Sequence, residues 1–159
     1  CKPQNPDCEK CPLSNSCVAL DKKLIKELPV KEKKITIKKR YFNYLVIQTE
    51  DNRTKIVKRN KGIWINLYEF PLIETQSEIE ENQLIEHEKF EELFENISTS
   101  IKLFNKDIIV HKLSHQHIYT KFWVVNTQSS ADFTLSWDTI QKYPVSSLID
   151  NFINEYKTH

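Results

Sequence analysis

Four cysteines at the start of the chain have the spacing of a metal centre. They stand at Cys1, Cys8, Cys11 and Cys17, and the remaining 142 of the 159 residues contain no other. Four thiolates this close in sequence can ligate one iron–sulfur cluster. Three alternatives stay open: a zinc site, although only Cys8–Cys11 forms a short zinc-type pair; two disulfides, which a reducing compartment disfavours; and four unrelated thiols.

The composition excludes several other kinds of site. Gly62 is the single glycine of the chain, whereas a Walker phosphate loop, a dinucleotide fingerprint and a nucleophile elbow each need at least two close together. No stretch approaches about eighteen apolar residues, so we expect no contact with the membrane interior. Because no signal peptide opens the chain, we expect a cytoplasmic protein, associated with the nucleoid in a bacterium.

The net charge of +1 hides an uneven distribution. Residues 1–62 contain sixteen Lys or Arg and seven acids, whereas residues 63–100 contain ten acids and a single lysine, Lys89. A basic front half suits a polyanion such as nucleic acid. Because lysines far outnumber arginines, a solvated lysine-rich surface explains the same pattern.

Alternating apolar residues predict a β-sheet. Residues 35–47 are expected to form one long strand that ends in an apolar run. Asp51–Asn52 is a turn signal, so residues 54–57 are expected to return as the second strand of a hairpin. Further strands are expected within 101–125, and the acidic stretch 73–83 is expected to be an exposed loop.

Apolar residues at spacings of three and four predict two helices, one over 87–97 and one from Pro144 to Tyr156. A shorter helix is expected to end before Pro29. These elements combine most simply as an α+β domain, in which a mixed sheet carries a helix on each face. The aromatic residues expected in its core are Trp64, Tyr68, Phe70, Trp123 and Trp137.

The cysteine spacing C-x6-C-x2-C-x5-C resembles the iron–sulfur loop of the helix-hairpin-helix DNA glycosylase superfamily. In that superfamily the four cysteines hold a 4Fe–4S cluster and shape a basic loop that approaches the DNA backbone. The resemblance implies that the four cysteines are metal ligands. It also makes Lys2 and Lys10 candidate phosphate contacts, against the alternative that both are merely solvated.

Three further segments resemble the MutY family, the adenine DNA glycosylases that act on adenine mispaired with 8-oxoguanine. Residues 58–71, KRNKGIWINLYEFP, resemble a segment in which Gly-x-Trp precedes Leu-aromatic-Glu-Phe-Pro. Residues 111–118, HKLSHQHI, resemble a recognition loop with an aromatic-Ser-His triplet between two strands. Residues 29–34 resemble the connector between the two domains of the family.

The C-terminal domain of that family is similar to MutT, a Nudix hydrolase. The resemblance therefore implies a Nudix-like mixed sheet flanked by helices over residues 34–159. An iron–sulfur loop at 1–17 and a connector at 18–33 would precede it.

Ser114 and His115 are the candidate recognition residues. Oxidised guanine has an N7–H donor and an O8 acceptor that guanine lacks; a serine hydroxyl can accept from the first, and nearby N–H groups can donate to the second. Leu113 stands where the family commonly has Phe, which retains packing but loses base stacking. Lys112 and Lys121 are further candidate phosphate contacts. The alternatives for this loop are the polar face of a strand or a fortuitous histidine trio for a metal.

A Nudix hydrolase is an alternative that the sequence can test. Its site needs a glycine-opened loop and a helix with Arg-Glu and Glu-Glu pairs to hold Mg2+. The helix at 87–97 has four glutamates but no arginine, and the segment after Pro71 lacks the glycines. We therefore interpret these acids as the solvated face of an amphipathic helix.

The resemblance implies that this chain does not carry the catalytic residues. The family removes adenine with a Glu and an Asp of a helical domain upstream of the cluster. Because the chain opens at Cys1 without methionine, we expect part of a longer enzyme, in which the cluster need not assemble without the rest. The expected partner is double-stranded DNA with 8-oxoguanine opposite adenine. A protein-interaction module, with the connector docking a repair protein, is the remaining alternative.

Overall fold

A computed structural model describes residues 5–28, 36–95, 97–128 and 132–158. The chain forms two compact units, Cys1–Thr36 and Ile37–His159. In the first unit, a 3-10 turn at Ser14–Ser16 lies within the cysteine loop, and a single-turn helix, α1 (Val18–Asp21), follows it. The predicted short helix is therefore present, whereas the connector match at 29–34 lies outside the described residues.

The second unit is built on a five-stranded mixed sheet. Two twelve-residue strands, β1 (Lys38–Thr49) and β8 (Gln116–Thr127), pair in parallel at its centre. Strand β5 (Leu72–Thr75) pairs antiparallel with β1. On the other side, β6 (Thr99–Leu103) and β7 (Ile109–Lys112) pair antiparallel with successive parts of β8.

Two small ribbons lie outside this sheet. Strand β2 (Arg53–Thr54) pairs with β9 (Leu135–Ser136), and β3 (Val57–Lys58) pairs with β4 (Tyr68–Glu69), both antiparallel. A six-residue 3-10 helix follows β9 at Trp137–Lys142.

The predicted hairpin between 35–47 and 54–57 is wrong. The chain does turn at Asp51–Asn52, but residues 53–54 then pair with β9 rather than with β1. Residues 42–47 of β1 are all buried. A strand that is apolar on both faces belongs in the middle of a sheet, and β5 and β8 occupy both of its edges.

The prediction of an exposed loop at 73–83 is also wrong. Residues 72–75 form β5, and α2 (Glu81–Ile85) begins within the same stretch. The three apolar side chains Ile73, Ile79 and Leu84 are buried, while most of the acids between them face solvent. Sparse apolar residues thus suffice to hold this segment against the sheet.

Helices cover both faces of the sheet, as predicted. On one face α4 (Ser147–Lys157) packs on the core, and the ring of Phe152 stacks on Phe122 with centroids 4.1 Å apart. On the other face α2 and α3 (Glu88–Leu93) bury Leu84 and Phe90. Successive side chains of β1 point to opposite faces, so a single strand supplies both cores.

Packing in the protein interior accounts for four of the five aromatic residues predicted to lie in the core. Phe70, Trp123 and Trp137 are at most 4% exposed, and Tyr68 is half-buried with its ring against Tyr143 at 5.0 Å. Within the described ranges, none of the helices combines the length and the hydropathy needed to cross a bilayer.

Candidate nucleic-acid interface

The turn Leu113–His115 joins β7 to β8, as the predicted loop between two strands requires. Its main chain is held from both sides: the N–H of Leu113 donates to the carbonyl of Gln116 at 2.9 Å, and the N–H of Lys38 donates to the carbonyl of His115 at 3.0 Å. Ser114 and His115 are exposed. The turn therefore presents a hydroxyl and an imidazole to solvent from a fixed backbone.

Leu113 has a different environment from its two neighbours. Its side chain is half-buried and packs against the core cluster that includes Phe122 and Phe152. This contact anchors one end of the turn, and it turns the leucine toward the protein rather than away from it.

Three exposed lysines surround the turn. Lys112 ends β7 immediately before it, and Lys38 and Lys39 pair in register with Gln116 and His117 immediately after it. Of these three lysines, the sequence predicted only Lys112 as a phosphate contact. The other two are close to the turn only because β1 and β8 run in parallel, and no local pattern predicts that pairing.

Lys121 cannot serve as a phosphate contact, contrary to the prediction. Its side chain is 7% exposed, and its Nζ donates to the carbonyl of Ile79 at 2.9 Å and to the carboxylates of Glu78 and Glu80 at 2.9 and 3.3 Å. It lies five positions beyond the first residue of β8, where the strand already runs beneath α2. The ammonium is used to hold the segment before that helix.

A nine-residue loop between β3 and β4 lies beside the turn. The indole of Trp64 meets the imidazole of His111 edge-on, with ring centroids 5.5 Å apart. Three residues of this loop, Gly62, Trp64 and Asn66, have φ values of +75°, +58° and +70°. Left-handed backbone is rare outside glycine, so the loop is strained where it meets the strand that leads into the turn.

The Trp64 contact brings together the two segments singled out in the sequence, 58–71 and 111–118. Trp64 itself is half-buried and touches the core cluster. Its neighbour Ile65 is 51% exposed at the tip of the loop. Sequence reasoning assigned Trp64 to the core and did not select Ile65.

Arg40 links the turn to the edge strand β5. Its Nη1 donates to Oε1 of Gln116 at 3.1 Å, and its Nε and Nη2 donate to the two carboxylate oxygens of Glu74, each at 2.7 Å. These hydrogen bonds lower the pKa of Glu74 and raise that of Arg40. The first residue after the turn is thereby tied across β1 to β5.

A second charged group is buried under the β3–β4 ribbon. Nη1 of Arg59 donates to both carboxylate oxygens of Glu69, at 2.8 and 2.7 Å, and the hydroxyl of Tyr44 donates to one of them at 3.1 Å. Burial raises the pKa of Glu69 and, together with that carboxylate, holds the pKa of Tyr44 well above its ordinary value. Tyr44 therefore stays protonated and remains a donor.

The predicted cluster ligands Cys8, Cys11 and Cys17 line one cavity of about 180 Å3. None of the three is in a disulfide, and all are half-buried. Successive tight turns carry them round the cavity, with Cys11 N–H donating to the Cys8 carbonyl at 3.3 Å and Cys17 N–H donating to the Ser14 carbonyl at 3.3 Å. The fourth predicted ligand, Cys1, and the candidate phosphate contact Lys2 lie outside the described residues.

The three thiols around one cavity are donors of the kind that either a zinc ion or an iron–sulfur cluster takes. Among the described side chains, no three Cys, His, Asp or Glu residues are grouped closely enough to hold one metal ion. The histidines near the turn form no such group either.

Lys10, the other candidate phosphate contact of the cysteine loop, is exposed and forms an ion pair with Asp7 at 3.5 Å.

The glutamates of the predicted Nudix-type helix lie on the solvent side of α3. Phe90 and Phe94 point into the core with ring centroids 4.7 Å apart, while Glu88, Glu91 and Glu92 are exposed. The helix begins at a cap in which Nδ1 of His87 accepts from the N–H of Lys89. The carboxylates thus occupy the positions expected of a solvated helix face.

Comparison with protein families finds two matches on this chain. The family described as the NUDIX domain matches residues 43–155, and the iron–sulfur binding domain of endonuclease III matches residues 1–17. The first match covers most of the sheet and of α4, and the second covers the cysteine loop.

Two curated relatives carry the same name. The chain is 34% identical over 76 residues to the adenine DNA glycosylase of Buchnera aphidicola subsp. Schizaphis graminum, covering 48% of this chain and 22% of that protein. It is 30% identical over 128 residues to the adenine DNA glycosylase of Buchnera aphidicola subsp. Baizongia pistaciae, covering 79% and 33%. The chain thus spans no more than a third of these relatives.

A solved structure supports the fold. The solution structure of the E. coli ORF135 protein is similar with a TM-score of 0.52, covering 77% of this chain and 91% of that one at 12% sequence identity. The chain belongs to the NUDIX domain family and, with its endonuclease III iron–sulfur segment, has the two-part composition of the C-terminal portion of MutY proteins.

Proposed function

We propose that this chain is the lesion-recognising part of an adenine DNA glycosylase, and that its turn Leu113–His115 reads 8-oxoguanine in duplex DNA. The parent enzyme would flip the mispaired adenine out of the stack and hydrolyse its N-glycosidic bond. That chemistry would belong to residues outside this chain. The name shared by the curated relatives supports the assignment.

The observation that carries the proposal is the fixed, exposed turn. Its backbone is pinned at the Leu113 N–H and at the His115 carbonyl, so the Ser114 hydroxyl needs little ordering to meet a base. The hydroxyl accepts from N7–H of 8-oxoguanine, a donor that guanine lacks, and exposed N–H groups or His115 donate toward O8. Guanine cannot make this hydrogen bond and would leave the Ser114 hydroxyl unpaired, and this difference discriminates between the two bases.

The lysines around the turn supply the second part of the interface. Lys38, Lys39 and Lys112 are exposed, and ammonium groups beside a base-reading element bind phosphates and fix its register on the duplex. Their contribution is independent of sequence and weakens with salt. In this scheme Leu113 supports the turn from behind, because it packs on the core.

We further propose that the first unit holds a 4Fe–4S cluster through Cys1, Cys8, Cys11 and Cys17. The cavity lined by three of these thiols and the iron–sulfur family match support it. Such a cluster would be bound by thiolates alone, and would fix the loop that carries Lys2 and Lys10. We propose phosphate contacts there as well.

Chemical-shift mapping tests the recognition site directly. A 15N-labelled chain is titrated with a duplex containing 8-oxoguanine opposite adenine, and separately with the same duplex containing guanine. The expected result is that the amides of residues 113–116 shift further with the lesion, while amides of β6 move equally little with both. Identical shifts of the turn with the two duplexes would contradict the proposal.

A further inference from the structure

A cleft beside the β3–β4 ribbon is rich in basic side chains and takes no part in the proposed recognition. Its volume is about 260 Å3. Residues 57–61 form one wall, β4 and β5 contribute Glu69, Leu72 and Glu74, and α3 contributes Lys89. The basic residues that line it are Lys58, Arg59, Lys61 and Lys89.

Both carboxylates of the cleft are already neutralised by arginines. Glu69 receives two hydrogen bonds from Arg59, at 2.8 and 2.7 Å, and Glu74 receives two from Arg40, at 2.7 Å each. In the first pair, the side chains of Arg59 and Glu69 are each 9% exposed. These acids therefore offer little charge or lone-pair capacity to a cation entering the cleft.

The lysines, in contrast, are unpaired. Lys58, Lys61 and Lys89 are exposed, and within the described part of the chain no acid lies within ion-pairing distance of them. Lys89 belongs to an otherwise acidic helix, but the glutamates of α3 do not line the cleft. Three exposed lysines on two walls thus line one cleft.

Arg59 adds a buried cation to the same wall. Its side chain is 9% exposed, yet its Nε has no hydrogen-bond partner among the described atoms. Buried polar groups are nearly always hydrogen-bonded, because an unmade bond to a buried donor is costly. Asn60 places a further amide on the same wall.

We propose that this cleft binds a phosphate group directly, through the ammonium groups of Lys58, Lys61 and Lys89 beside the buried charge of Arg59, without a divalent metal ion. Phosphate offers three strongly accepting oxygens and a charge that matches several cations at once. That description fits a terminal or free phosphate; a phosphodiester of the DNA backbone has two free oxygens and a single charge, and would be held by the same ammonium groups through charge alone. The two paired glutamates remove the ligands that a metal-dependent phosphate site would need.

The phosphate has two sources, the DNA backbone or a free phosphorylated molecule. The first follows from the position of the cleft: Glu74 on its lining is bound to Arg40, which also contacts Gln116 directly after the recognition turn. A duplex on the turn would continue over this cleft, so that source rests on the proposed function. The second source does not depend on it.

Inorganic pyrophosphate is the probe for the site itself. A 15N-labelled chain is titrated with pyrophosphate in the presence of EDTA, and the amides of 58–61 and 89 are expected to shift saturably. The double variant Lys58→Gln, Lys89→Gln should lose about tenfold or more in affinity, while the matched variant Lys102→Gln, Lys142→Gln should bind as the wild type does. All four lysines are exposed, so these variants are expected to fold.

Salt dependence of binding to an undamaged duplex separates the two sources. If the cleft takes a backbone phosphate, the slope of log K against log salt should fall by about 0.9 in the double variant, since one neutralised phosphate contributes about 0.9. An unchanged slope together with lost pyrophosphate binding would assign a free ligand. Absence of pyrophosphate binding, or binding only when Mg2+ is added, would overturn the proposal. A failure of the proposed function would instead appear as equal affinity for lesion and guanine duplexes.

Discussion

Arg40 holds Glu74 by two hydrogen bonds of 2.7 Å, across the pairing of β1 with β5. The same guanidinium reaches Gln116, so one side chain joins the edge strand, the central strand and the residue that follows the turn Leu113–His115. A bidentate arginine–carboxylate pair fixes direction as well as distance. The position of the turn therefore depends on a residue that neither carries its chemistry nor adjoins it in sequence.

Replacing this arginine should loosen the turn. We expect Arg40→Met to reduce the free energy of unfolding by about 1 kcal/mol, a modest value because the Glu74 carboxylate is 39% exposed. It should also weaken lesion preference. Urea unfolding measures the first effect, and Arg53→Met, which removes a more exposed pair with Asp51, is the control with an expected loss of about 0.5 kcal/mol or less. Equal losses in the two variants would contradict the special role of Arg40.

The Arg40–Glu74 pair also predicts a pH dependence. Its hydrogen bonds lower the pKa of Glu74 below the ordinary 4.5, so the folded state binds that proton more weakly than the unfolded state. The stabilisation is complete above the unfolded value and is lost as the pH falls through the lower, folded value. The stability difference between wild type and Glu74→Gln should therefore be larger at pH 7 than at pH 3. A difference that grows toward acid would show that the pKa shift has the opposite sign.

Sequence patterns predicted where the helices lie better than they predicted which strands pair with each other. The helix on each face follows from apolar spacing at 87–97 and near Phe152, and both helices are present. The partner of β1 could not be predicted in the same way. Residues 42–47 are apolar except for Asn43, which indicates burial on both faces but says nothing about which strands lie alongside.

The same difference holds for the candidate site: residues within one short motif could be predicted, whereas residues brought there by strand pairing could not. Ser114 and His115 were selected from a short motif, and the turn that carries them lies between two strands as expected. Lys38 and Arg40 reach the same place only through parallel pairing over a long sequence separation. Lys121, although close in sequence, is directed into the protein, because alternation along β8 decides which side a lysine faces.

The buried ammonium of Lys121 should matter for stability rather than for DNA. Lys121→Met leaves the buried carbonyl of Ile79 without its donor and the segment before α2 without its ion pairs. We expect a loss of about 1–3 kcal/mol in the free energy of unfolding. Lys102→Met, an exposed lysine on the neighbouring strand β6, should cost about 0.5 kcal/mol or less. Should lesion affinity fall while stability is retained in Lys121→Met, the lysine would be a DNA contact after all.

The loop that meets His111 should be sensitive to backbone conformation. Gly62 has a φ of +75°, and an added Cβ would lie 3.5 Å from Nη2 of Arg59, an ordinary contact. The cost of Gly62→Ala is therefore conformational, about 1 kcal/mol. At Asn66, with a φ of +70°, the reverse change Asn66→Gly should be neutral or slightly stabilising. Thermal unfolding of both variants measures these two changes in stability. A Gly62→Ala variant with the stability of the wild type would mean that the left-handed backbone is not needed at this position.

The cysteine loop predicts a visible chromophore. Purified under anaerobic conditions with iron and sulfide, the chain should show the broad brown absorbance of an iron–sulfur cluster, and Cys11→Ser should lose most of it. Ser16→Ala, a neighbouring change that removes no thiol, should keep it. Zinc in stoichiometric amount with no iron, measured by elemental analysis, would contradict the cluster.

Lesion preference is the most direct measure of what the turn does. The ratio of dissociation constants for duplexes with guanine and with 8-oxoguanine opposite adenine is compared in the wild type, Ser114→Ala and the exposed-serine control Ser100→Ala. A preference for the lesion is expected in the wild type and the control, and a loss of about tenfold in Ser114→Ala, the worth of one hydrogen bond of about 1.4 kcal/mol. A wild-type ratio of one, or an unchanged ratio in Ser114→Ala, would contradict recognition by this turn.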